Sequence, residues 1–125
     1  MRRIKVKIKV GREPLVKEHM LSAYMTPVAG LVIHPEVEYD SHDERFIRKQ
    51  HRWAITQYPT GLQAFGQIPT LEEALEIVNH DMLPFNWVGL NADEAMAVND
   101  PKELQLLART VNEKIAKSRK AKGIK

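Results

Sequence analysis

Residues 51–78, HRWAITQYPTGLQAFGQIPTLEEALEIV, constrain this chain more than any other stretch. Trp53 and Ile55 fall on one side of an alternating run, Ala54 and Thr56 on the other, as in a strand. Tyr58-Pro59-Thr60-Gly61 then has the residues of a tight turn. Proline at the second position presets φ, and glycine at the fourth accepts a positive one. Leu62, Ala64 and Gly66 return as a second strand with Phe65 opposite. Thr70 follows as a helix N-cap, and Glu73, three residues on, completes a capping box. Glu72 suits the positive helix end, and Leu71, Ala74, Leu75 and Val78 recur at one-face helical spacing. The stretch therefore predicts a hairpin feeding a helix over 70–82 that stops before Pro84, with Trp53 and Leu75 buried.

The residues before it supply further strands. In 4–10, Ile4, Val6, Ile8 and Val10 alternate with Lys5, Lys7 and Lys9, the pattern of a half-buried strand whose charged face suits a sheet edge. Gly11 to Pro14 break it. Residues 15–25 read as a short helix through Leu15, Glu18 and Leu21, ended by Pro27. Residues 28–39 form a strand in which Leu31, Val32 and Ile33 are buried on both faces. Pro35 lacks an N–H and requires an edge, a bulge or a break, after which Val37 and Tyr39 resume the alternation. Residues 41–50 read as a polar connector, with Ser41 and Glu44 capping one helical turn anchored by Phe46 and Ile47.

Beyond the central stretch, Phe85 and Trp87 read as core plugs on a loop, and Asn91 or Asp93 as the start of a brief helix. A second long helix over 101–118 opens on Asp100 as N-cap, with Pro101 at the first helical position and Glu103 completing a box. Leu104, Leu107, Ala108, Val111 and Ile115 line its inner face. The fold class expected is α+β in a single domain, residues 1–125. Its small, mainly antiparallel sheet has strands near 4–10, 28–39, 51–58 and 61–67, and two main helices cover it. The tail 117–125 is expected to fray.

Charge is distributed unevenly along the chain. Six basic residues (Arg2, Arg3, Lys5, Lys7, Lys9, Arg12) lie in 1–12 and five (Lys117, Arg119, Lys120, Lys122, Lys125) in 117–125, eleven of the nineteen in the chain, with no acid in either segment. The interior is acidic. Between Glu72 and Glu103 stand eight acids and one base, Lys102. Such asymmetry points to charged partners. Two surfaces follow as candidates. Arg2, Arg3, Lys5, Lys7, Lys9, Lys117, Arg119, Lys120 and Lys122 form a nucleic-acid-binding set acting through counterion release. Glu72, Glu73, Glu76 and Asp81 form an acidic, partner-binding patch able to occupy a positively charged groove. The edge strand also offers a route to homo-oligomers.

The chain contains no cysteine, which excludes disulfides, thiolate metal sites and cysteine nucleophiles. The basic N-terminus has no unbroken apolar run, so a soluble, cytoplasmic protein with no membrane partner is expected. Of the five histidines, His42 and His51 with Asp43 and Glu44 are the densest group of metal-ligand types, but their spacing matches no metal motif. Glu36, Glu38, Asp40, Asp43 and Glu44 with His51 hold the residue types of an acid–base site, with the alternating acids on what reads as a solvent face. Residues 34–51 thus carry the alternative reading, a small metal-dependent hydrolase or nuclease. Gly61, Gly66 and Gly89 form no phosphate-binding loop. No catalytic residue, metal or cofactor is assigned.

Trp53-Ala54-Ile55-Thr56-Gln57-Tyr58-Pro59-Thr60-Gly61, followed by Thr70-Leu71-Glu72-Glu73-Ala74-Leu75, resembles the W-x-I/V-T-x-x-P-T-G hairpin and T-x-x-E-A helix of small phage and mobile-element proteins. The resemblance implies an accessory protein, of a kind that in some cases inhibits host nucleases or RNA-guided defence complexes. It implies no catalytic residue. Sequence and resemblance together lead to the expectation of a non-enzymatic binding protein that acts on nucleic acid or a nucleoprotein complex. In specific form it would be an anti-CRISPR or anti-restriction inhibitor.

Overall fold

A computed structural model describes residues 2–11, 15–58, 60–88 and 99–124. The fold is α+β, as expected. Five antiparallel strands run in sequence order across one sheet: β1 (Arg3–Val10), β2 (Lys17–Met25), β3 (Leu31–Asp40), β4 (Arg45–Gln57) and β5 (Leu62–Ile68). Helix α1 (Leu71–Glu76) widens into a π-helical segment (Ile77–Met82), and α2 (Pro101–Ala121) closes the fold. The wider turn brings Ile77 and Met82, five residues apart, onto one buried face.

The centre is β3. Leu31, Val32 and Ile33 are essentially inaccessible, at 2%, 0% and 0% exposure. Successive side chains on a strand point to opposite faces, so two separate cores meet there. Leu31 and Ile33 join Ile55, Phe65, Ile68, Val78, Val111 and Ile115 under the helices. Val32 joins Val6, Ile8, Val10 and Ala23 on the other side. The β1–β2 hairpin thus folds back across the face of β3 that the helices leave bare. Strands β2 and β3 pair only at Tyr24–Ile33 and Met25–Val32, then splay. At the far side β1 meets the β4–β5 turn, where the Lys9 N–H donates to the Gly61 carbonyl at 3.0 Å.

Within residues 51–78 the turn glycine and the helix cap form as read. Gly61 has φ 73°. The Thr70 hydroxyl accepts from the Glu73 N–H at 3.1 Å. Pro59 lies outside the described residues, as do Arg12 to Pro14, Gly89, Asn91 and Asp93, so the brief helix read there falls outside them too, while β1 ends at Val10 before Gly11 at φ 100°. Trp53 and Leu75 are half-buried rather than buried, although both pack against the helix-side core. Phe85 and Trp87 pack there as well, and the Gln57 amide holds the Trp87 carbonyl at 2.6 Å.

Three expectations are corrected. Residues 15–25 contain no helix; Lys17–Met25 is β2, paired residue for residue with β1 from Arg3–Tyr24 to Val10–Lys17. Its inward residues His19, Leu21 and Ala23 do alternate with Met20 and Ser22. Met20, apolar yet 52% exposed, hides that alternation, and the need of β1 for a hydrogen-bonding partner decides the outcome. Ser41 and Glu44 cap no helix. Asp40 Oδ1 accepts from the His42 N–H at 3.0 Å in a hairpin turn, and Phe46 and Ile47 already belong to β4. The second long helix also runs past the expected residue 118. Helix α2 continues to Ala121 and ends in a Schellman motif, with Ile124 N–H donating to Arg119 C=O at 2.8 Å around Gly123 at φ 70°.

The contact between Gly61 and β1 can be tested alone. A Cβ at Gly61 would lie 2.7 Å from the Lys7 carbonyl, on a backbone that side chains rarely adopt. Gly61→Ala is expected to lower stability by about 1–3 kcal/mol in urea denaturation. An unchanged midpoint would show that the turn does not bear on β1.

Candidate nucleic-acid interface

The β1–β2 hairpin presents its polar side outward because its apolar side is occupied by Val32. Lys5, Lys7 and Lys9 are therefore exposed in a row, opposite Ser22, Met20 and Glu18 of β2. Lys7 pairs with Glu18 at 3.3 Å, both ends solvated, an ion pair worth little in water. Among the described residues Lys5 and Lys9 form no ion pair. Arg2 is exposed just ahead of the strand. Arg3 lies over the Tyr24 ring at 4.8 Å and donates to its hydroxyl at 2.6 Å, so its guanidinium is fixed against the hairpin.

The basic tail is not brought to this surface by a shared core: β1 packs on one face of β3 and α2 on the other. Nor is the tail uniformly exposed. Arg119 is 8% exposed and donates from Nη1 to the Gln67 carbonyl at 3.1 Å. It continues the buried row Leu107, Val111, Ile115 by one further step of four. Its guanidinium ties α2 to β5. Lys122 reaches the Glu73 carboxylate at 3.7 Å, while Lys117 and Lys120 remain exposed.

The acidic patch divides in the same way. Glu73 accepts from the Thr70 and Ser118 hydroxyls and faces Lys122, linking the start of α1 to the end of α2. Burial works against its charge, but these hydrogen bonds, the Lys122 charge and the Thr70 backbone outweigh it and lower its pKa. Asp81 accepts twice from Lys114, at 3.0 and 2.8 Å. Glu73 and Asp81 hold α1 and the π-helical segment to α2; Glu72 and Glu76 are exposed.

The residues of the hydrolytic alternative are spread over β3, the β3–β4 turn and β4. His34 is buried with both ring nitrogens engaged, Nδ1 at 2.8 Å from the Pro35 carbonyl and Nε2 at 2.7 Å from the Thr56 hydroxyl. A carbonyl only accepts, so Nδ1 carries the proton and Thr56 donates to Nε2. Burial lowers the His34 pKa, against the Pro35 hydrogen bond and the Glu36 charge. His42 sits in the β3–β4 turn, and Glu36 accepts from the Gln67 N–H at 2.6 Å. Among the described residues no three histidines or carboxylates are grouped as metal ligands.

One cationic group is missing from the sets drawn from sequence. Arg45, Arg48, Lys49 and Arg52 are four of the eight basic residues in 13–116. Averaging charge over that acidic interior conceals them, and reading 41–50 as a connector separates them from Trp53. The structure places Arg48, Lys49, His51 and Arg52 with Pro35 and Trp53 around an open cleft of about 370 Å³. The signal is local: several cations within eight residues, ending at an aromatic.

The chain matches no family model, no curated protein and no solved structure. No helix among the described residues is long and apolar enough to cross a membrane.

The two kinds of tail residue should behave differently. Arg119→Ala is expected to cost about 1.5–3 kcal/mol, the range for a hydrogen bond from a charged group. Lys120→Ala should stay within about 0.5 kcal/mol of the parent. Chemical denaturation of both variants checks this; equal, small effects would return Arg119 to the surface.

Proposed function

We propose that this chain is a non-enzymatic binding protein that contacts nucleic acid through the outer face of its β1–β2 hairpin. The observation that carries the reading is the row Lys5, Lys7 and Lys9, exposed on a paired strand, with Arg2 at its start. Alternate residues of a strand stand about 6.8 Å apart. A DNA strand places one phosphate every ~3.4 Å along the helix axis. Three lysines therefore span roughly four phosphate steps along the helix axis, enough for binding driven by charge rather than by sequence. Exposed Lys117 and Lys120 offer a second, separate cationic site, so one protein could touch two segments. The action is cytoplasmic in this reading. The setting in a phage or mobile element, and the specific role of inhibiting a host defence nuclease or nucleoprotein complex, rest on the resemblance of the hairpin and helix.

Binding to random-sequence duplex DNA, titrated with salt, tests the reading. Log affinity should fall linearly with log salt. Lys5→Gln/Lys7→Gln/Lys9→Gln should make that slope shallower by up to about 0.9 for each phosphate the lysines neutralise. The variant's fold should be intact by circular dichroism, since all three side chains are exposed. Absence of binding by the parent at low salt would overturn the proposal and leave a protein surface as the target.

A further inference from the structure

Strands β3 and β4 fall out of register in their middle. Pro35 stands opposite Trp53 and Val37 opposite Arg48, so four residues of β4, 49–52, face the single residue Glu36. The excess chain forms a bulge in β4. His51 takes φ 55°, a left-handed conformation that a non-glycine residue enters at a cost of about 1–2 kcal/mol. Pro35 accounts for part of this. It has no N–H to offer β4, and the ladder must break there. It does not account for the composition of the bulge, Lys49-Gln50-His51-Arg52 with Arg48 before it and Trp53 after it.

The charges around this bulge are only partly offset. Glu38 takes Lys49 at 2.5 Å and also feels the charge of Arg52. Glu36, the acid directly opposite, turns its carboxylate to the Gln67 N–H. Arg48 forms no ion pair among the described residues and is exposed. Trp53 is half-buried: it packs with Tyr24, ring centres 6.2 Å apart, against the helix-side core, and it also borders the cleft. A cleft of about 370 Å³ is at the small end of sites for small ligands and admits one nucleotide.

We infer that the β4 bulge is a nucleotide subsite for single-stranded nucleic acid, in which Arg48 and Arg52 hold a phosphate and Trp53 receives an unstacked base. Guanidinium groups match phosphate oxygens in geometry and charge. An aromatic at a cleft wall suits a base out of its stack, which a duplex does not offer. Half-burial fixes the Trp53 ring before the base arrives. This inference rests on the nucleic-acid reading above but assigns it a different surface and a different strand state.

The test uses the full chain labelled with 5-fluorotryptophan, whose two tryptophans give separate fluorine resonances assigned through Trp87→Phe. Trp87 is an internal reference, since its Nε1 donates to the Met82 carbonyl at 2.8 Å. Oligothymidylate of about twelve nucleotides should shift the Trp53 resonance and leave that of Trp87 in place. Arg48→Gln/Arg52→Gln should weaken oligothymidylate binding at least about tenfold and keep duplex binding. The triple lysine variant should retain the Trp53 shift. A shift of neither resonance, or oligothymidylate affinity unaltered by the arginine changes, overturns the subsite while duplex binding through β1 can still stand. Failure of the parent to bind duplex, with the Trp53 shift intact, removes the β1 reading and leaves the subsite.

Discussion

Everything in this fold depends on β3 being buried on both faces. Side chains such as Leu31, Val32 and Ile33 each contribute about 1.5–3 kcal/mol when removed from water. An antiparallel sheet with one wet face would forfeit part of that. Here the helices cover Leu31 and Ile33, and the β1–β2 hairpin covers Val32. Covering both sides forces the sheet to fold over itself, which explains why β2 and β3 pair over only two positions before separating. Beyond the bulge Val37 and Tyr39 side with Val32 rather than with Leu31 and Ile33, which unbroken alternation would not allow. The break at Pro35 thus serves the core and also displaces the cationic bulge of β4.

This arrangement sorts the charged residues into two groups. Glu73, Asp81 and Arg119 lie where elements meet, and their partners Ser118, Lys114 and Gln67 belong to the neighbouring element. They hold helices to each other and to the sheet, so they are poorly placed to meet a partner. Lys5, Lys9, Lys117, Lys120 and Arg48 are exposed and keep their charge facing solvent. Net charge cannot separate the groups, because an acid at a helix start and an acid on a docking surface count alike. The binding surfaces proposed here are what remains once the fold's own needs for charge are met.

The parts legible in the sequence were those fixed by local chemistry. The Thr70 cap, the positive φ of Gly61, the alternation of β1 and the inner face of α2 each depend on residues a few positions apart, and each formed as read. The parts that were not legible depend on distant partners. Strand β2 exists because β1 needs a neighbour, and exposed Met20 blurs its own alternation. The β4 bulge exists because Pro35 interrupts the ladder from the other strand. Arg119 could have been found, since it continues the spacing of Val111 and Ile115, but its residue type argued for the surface. For the candidate interface, the β1 row was legible and the Arg48–Trp53 cleft was not.

Native-state hydrogen exchange measures the two-sided burial of β3 most directly. Amides of residues 31–34 and of their β4 partners 54–57 should exchange only through global unfolding, with opening free energies equal to the stability from denaturation. Amides at the ends of the β1–β2 hairpin should open at lower free energy. Exchange of residues 31–34 through a smaller opening that leaves the helices protected would contradict the account, because β3 would then not be the element that both cores share.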